Sequence, residues 1–71
     1  MDIKSIRTFV RVAELKSFTK AANEMNYVQS TVTMQIKQLE KELGYPLFDR
    51  IGKKVSLTLN GMQFLSYAMI F

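Results

Sequence analysis

Gln29, Ser30, Thr33, Met34 and Lys37 fall at steps that share one side of a helix. Their chemistry suits the edges of base pairs. A Gln amide can pair with adenine, Ser and Thr hydroxyls can bond bases or phosphates, and a Met side chain can meet a thymine methyl. A polar helix face is also what plain solvation produces, so this stripe alone leaves both readings open. Catalysis has less support. The chain contains no His and no Cys, which removes the commonest general base, the commonest zinc ligand and any disulfide. The carboxylates Glu40 and Asp49 have no nucleophile or metal ligand near them in sequence, so no enzyme chemistry, metal or cofactor is expected.

A second cluster sharpens the choice. Arg50, Lys53 and Lys54 surround Gly52 in a short turn that could reach phosphates or an adjacent minor groove. The net charge of +4 resides at two places. Residues 1–16 set Lys4, Arg7, Arg11 and Lys16 against Asp2 and Glu14, and residues 44–54 set the turn cations against Asp49. The stretch between them is neutral, and nothing from Val55 to Phe71 is charged. A basic turn that follows a polar-faced helix points to an anionic partner. Lys4, Arg7 and Arg11 read as a solvated face that adds long-range attraction. Glu40, Lys41 and Glu42 read as solvent ion pairs of little energetic weight.

Four helices and a hairpin must position these groups. Ile3, Ile6, Val10 and Ala13, widened by Phe9 and Val12, form the apolar stripe of a first helix, with Asp2 at its positive end. It should finish near Leu15 or Lys16. Ser17 is placed to cap a second helix from Phe18 to Met25, whose inward face is Phe18, Ala21, Ala22 and Met25. The small alanines allow close approach of a neighbour. Asn26 and Tyr27 make a tight turn, with Tyr27 packed beneath it. A third helix from Gln29 to Leu43 buries Val32, Ile36, Leu39 and Leu43, and Gly44 and Pro46 end it.

Short runs at 47–51 and 54–57 read as a hairpin with a basic tip, and Thr58 caps a last helix from Leu59. Met62, Leu65 and Met69 lie on one side of that helix, near Phe64, Ala68 and Phe71. The expected core is Phe9, Phe18, Leu39, Leu43, Leu47 and Phe48. The uncharged tail of 17 residues is interrupted by Ser56, Thr58, Asn60, Gly61, Gln63 and Ser66 and falls short of the ~20 apolar residues that cross a bilayer. No membrane role is expected. Two helices joined by so short a turn, the second polar outside, form a helix-turn-helix.

These residues resemble a known family. Ser17-Phe18-Thr19-Lys20-Ala21-Ala22 is similar to the opening of the helix-turn-helix in LysR-type transcriptional regulators. Residues 29–40, QSTVTMQIKQLE, resemble the family's recognition helix. Residues 42–50, ELGYPLFDR, and Leu57-Thr58 followed by Gly61 resemble its wing and the start of its linker helix. The implied fold class is mainly α, a winged helix-turn-helix with a three-helix core, a short β-hairpin wing and a C-terminal linker helix. The implied domain limits are 1–57 for the DNA-binding part and 58–71 for the start of the dimerisation helix, with the effector-binding domain absent.

The resemblance implies sequence-specific binding of double-stranded promoter DNA by a homodimer, in a bacterial cytoplasm on the nucleoid. Gln29, Ser30, Thr33 and Met34 would reach bases. Ser17, Thr19, Thr31 and Lys37 would touch phosphates, and Arg50, Lys53 and Lys54 would form the wing. Met62, Leu65 and Met69 would belong to the pairing helix. A small-molecule effector would bind the missing domain. Val28 replaces the usual Ser or Thr cap, and Met34 the common Arg. The uncharged helix running out at Tyr67-Ala68-Met69-Ile70-Phe71 leads to the expectation of a piece of a longer regulator rather than a natural truncation. The rival reading is a protein-interaction winged helix that works through its last helix.

Overall fold

The computed structural model describes residues 1–49 and 54–70. Along the described chain run α1 (Ile3–Leu15), α2 (Phe18–Met25), α3 (Gln29–Leu43), β1 (Phe48–Asp49), β2 (Ser56–Leu57) and α4 (Leu59–Ala68). Helices α1, α2 and α3 pack against one another, and α4 lies across α1 and β2. The strands are antiparallel, with Phe48 opposite Leu57 and Asp49 opposite Ser56. This is the mainly helical, winged helix-turn-helix architecture expected from the sequence.

Local chemistry explains each boundary. Asp2 Oδ1 accepts from the Ser5 N–H at 2.7 Å and starts α1. That backbone hydrogen bond is the main cause holding the Asp2 carboxyl below its ordinary pKa. Ser17 Oγ accepts from Lys20 N at 3.0 Å and starts α2, and Thr58 Oγ1 accepts from Gly61 N at 2.9 Å and starts α4. Val28 begins α3 with no side-chain cap, the consequence foreseen for that substitution. Between α2 and α3, Asn26 turns left-handed at φ 60°, and the Tyr27 N–H bonds back to Ala22 O at 2.9 Å. Asn tolerates this conformation better than most residues, which makes so short a turn possible. Gly44, at φ 84°, ends α3 in the same way.

The core joins all four helices to the sheet. Phe9 is fully buried, and its ring centroid lies 5.4 Å from Phe48 on β1 and 5.3 Å from Phe64 on α4. Phe18 meets Phe48 edge-on at 5.6 Å. Val32, Ile36, Leu39 and Leu47 are fully buried beside them.

Several expectations need correction. Ile3 is 55% exposed, while Ser5 and Thr8 are buried. The inner face of α1 is therefore centred on Ser5, Thr8, Phe9 and Val12, rotated from the apolar stripe. Thr8 is accommodated because its hydroxyl donates to Lys4 O at 3.0 Å. Leu43, Met25 and Leu65 are only half-buried. Arg11 is not a free surface cation. It bridges Glu14 and Glu24, each at 2.6 Å, and so ties α1 to α2.

Glu40 is not one of a set of solvent pairs. Its carboxylate accepts from Leu47 N at 2.8 Å, with a longer contact to Phe48 N at 3.5 Å. The turn at Gly44 folds the chain back so that this side chain anchors the entrance to β1. Glu40→Ala should leave a part-buried N–H unsatisfied and destabilise the fold by about 1–3 kcal/mol. Glu40→Gln keeps a carbonyl acceptor and should recover most of that loss. Thermal melts of the two variants check this, and equal melting of Ala and parent chains would remove the anchor.

Candidate nucleic-acid interface

Helix α3 is amphipathic in the required sense. Its inner face, Val32, Ile36 and Leu39, is fixed in the core, so its outer face is held by α1 and α2 rather than by its own stability. Ser30, Thr33, Met34 and Lys37 line one shallow groove of about 370 Å³ along that outer face. Gln38 and Lys41 complete the lining. Those two are candidates that the sequence reading omitted, although the steps from Met34 to Gln38 and from Lys37 to Lys41 carry the same helical signal. Met34 is 63% exposed, an apolar side chain held in water in the lining of the groove.

The other candidates are distributed around this groove. Gln29 is exposed at the first position of α3, where its Oε1 accepts from Thr19 Oγ1 at 3.0 Å. Thr31 is half-buried and does not line the groove. The Ser17 hydroxyl accepts the capping bond and retains its own proton for donation. Lys4 lines a neighbouring hollow with Met34 and Gln38, so this α1 cation sits beside the α3 face.

Among the wing residues, Lys54 is exposed and lines a hollow of about 630 Å³ with Lys16, Ser56 and Met62. Arg50 and Lys53 lie outside the described residues, as does Phe71. The described lysines of the groove, Lys37 and Lys41, take part in none of the ion pairs found among the described residues. Their charge is available to an external anion. No group of acidic, His or Cys residues that could hold a metal occurs among the described residues.

On α4 the arrangement differs from the expected stripe. Gly61, Phe64 and Ala68 face inward, and Leu65 packs partly against the core. Met62 and Met69 are exposed but border different hollows. Leu59 and Tyr67, with Ile70 just beyond the helix, are exposed as well. Among the described residues no helix is long and apolar enough to cross a membrane.

The family of bacterial regulatory helix-turn-helix proteins, lysR family, matches residues 3–62. The chain belongs to the LysR family. Residues 3–62 form its LysR-type helix-turn-helix, and the relatives that share it are transcriptional regulators. Over 68 residues it is 52% identical to the HTH-type transcriptional regulator YwqM of Bacillus subtilis strain 168, which covers 96% of this chain and 23% of YwqM. CzcR of the same organism is 51% identical over 67 residues, 94% of this chain and 23% of that regulator. This LysR-type chain thus spans about a quarter of the length of the regulators it matches.

Solved structures agree. The DNA-binding domain of BenM in complex with benA site 1 DNA superposes with a TM-score of 0.94 at 40% identity, covering 99% of this chain and 79% of that one. The CbnR DNA-binding domain in its DNA complex gives 0.93 at 31% identity, covering 99% and 80%.

Proposed function

We propose that this domain reads double-stranded promoter DNA by placing α3 in the major groove, with the wing on the adjacent backbone or minor groove. The observation that carries the reading is the exposed α3 groove, where hydroxyls, a thioether and unpaired lysines share one face. Gln29, Ser30, Thr33 and Met34 contact bases. Lys37, Thr31 and Ser17 contact phosphates, and Arg50, Lys53 and Lys54 form the basic wing. Two relatives in solved structures are held on DNA, which supports the same use here.

The working unit is a homodimer paired through α4. That helix is uncharged and leaves Leu59, Met62 and Tyr67 in water, with Met69 at its C-cap, an apolar surface a second copy would cover. Such a regulator acts in the bacterial cytoplasm at the nucleoid, and a small-molecule effector would bind outside these residues.

Fluorescence anisotropy with a labelled duplex at several salt concentrations tests the proposal. Lys and Arg release condensed counterions when they neutralise phosphates, and log Kd rises by about 0.9 per contact for each decade of salt. With four exposed lysines around the groove and wing, Lys4, Lys37, Lys41 and Lys54, a log–log slope of about 3 or more is expected. Affinity that ignores salt, or no binding at low salt, would sink the reading.

A further inference from the structure

We infer that Thr19 is a positioning residue for base recognition, fixing the Gln29 amide so that it favours adenine over guanine. This deepens the DNA-binding reading and rests on Gln29 as a base contact. The observation is the hydrogen bond from Thr19 Oγ1 to Gln29 Oε1, 3.0 Å long and joining exposed side chains on α2 and α3. A hydroxyl has one proton to donate, and phosphate oxygens only accept. While Thr19 holds Gln29, it cannot also donate to a phosphate. The two roles exclude each other, and the structure has Thr19 bound to Gln29.

The consequence follows from the donor and acceptor inventory. With one Oε1 lone pair occupied, Gln29 retains the second lone pair and both Nε2 protons. That acceptor and donor are what adenine matches with its N6 amino group and N7. Guanine presents two acceptors, O6 and N7, so a carbonyl held by Thr19 meets O6 as acceptor against acceptor. A Gln29 released from Thr19 can rotate its amide and offer Nε2 to either base. The turn at Asn26 matters here because it brings the first turn of α2 within reach of the first residue of α3.

The test uses the 71-residue chain, a duplex selected from a random pool by that chain, versions of it with each adenine–thymine pair changed to guanine–cytosine, and a random duplex of equal length. Thr19→Val keeps the shape and removes the hydroxyl. It should reduce the preference for adenine at one position by about two- to tenfold, the size of one net hydrogen bond. Affinity for the random duplex and thermal melting should not change. Thr19→Ser should restore the preference. Adding Thr19→Val to Gln29→Ala should produce no further loss of preference, because the threonine acts only through the glutamine.

Equal weakening on selected and random duplexes would show that Thr19 grips a phosphate and overturn the inference. An unchanged base preference in Thr19→Val would overturn it as well. If Gln29→Ala itself leaves base preference intact, the base-reading role of Gln29 falls, and this inference with it. That outcome is separable from the others because it appears in the single glutamine variant.

Discussion

Phe9→Ala is expected to destabilise the domain by about 3–5 kcal/mol, the cost of emptying a well-packed aromatic site. A chain of this length has a total stability of about 4–10 kcal/mol. One truncation should therefore remove a large share of it and lower Tm by roughly 15 °C or more. The reason is positional. Phe9 is fully buried and its ring meets Phe48 from the sheet and Phe64 from α4. Phe9 and Phe48 each make two of the ring contacts described above. Without Phe9, β1 and α4 lose their shared support on α1. Phe9→Leu refills much of the volume and should cost well under half as much. Thermal and urea melts check both variants. A Tm within about 3 °C of the parent for Phe9→Ala would mean the cluster does not organise the core as described.

Most of the architecture was legible because short-range signals agree with it. Ser17 and Thr58 are cap residues by type, Gly44 is a stop residue by type, and the spacing of Val32, Ile36 and Leu39 is helical. What sequence could not show was decided by distant partners. Ser5 and Thr8 are inside because α1 rotates to suit α2 and α3, and Thr8 satisfies its hydroxyl within its own helix. Lys16 adopts φ 54° at the end of α1, a conformation no lysine advertises. Glu40 looked like surface charge until the return of the chain placed Leu47 N beside it. The polar face of α3 was visible as residues 29 to 37 on one stripe, and Gln38 and Lys41 extend it at the same helical steps. The Thr19–Gln29 bond was invisible for a different reason. It joins two helices, and only the geometry of the turn determines that they meet.

Gly61→Ala sets two effects against each other, and their magnitudes decide the sign. Within a helix, Ala is favoured over Gly by about 1 kcal/mol. Gly61 lies in α4 and adopts no positive φ, so propensity alone predicts stabilisation. A Cβ there would lie 2.1 Å from the carbonyl oxygen of Leu47 and 3.0 Å from its carbon. Neither partner can yield cheaply. Leu47 O already accepts from Thr58 N at 3.0 Å, and the Thr58 hydroxyl donates to Pro46 O at 2.7 Å. The entrance to β1 and the start of α4 are thus locked together at the point where the methyl would enter. Overpacking of this kind costs typically 1–3 kcal/mol and more where backbone must move, so the clash exceeds the propensity gain. A net destabilisation of about 2 kcal/mol is expected. Gly44→Ala is the informative contrast. Its Cβ would meet nothing within 4 Å, but φ 84° makes alanine strained, at a cost of roughly 1–2 kcal/mol. Urea midpoints should therefore rank parent above Gly44→Ala above Gly61→Ala. The Gly61 variant should also bind DNA more weakly at temperatures where it remains folded, because α4 and the entrance to β1 have been pushed apart. A Gly61→Ala chain as stable as the parent would show that α4 can move off Leu47 freely, and the docking of α4 on the strands would lose its structural basis.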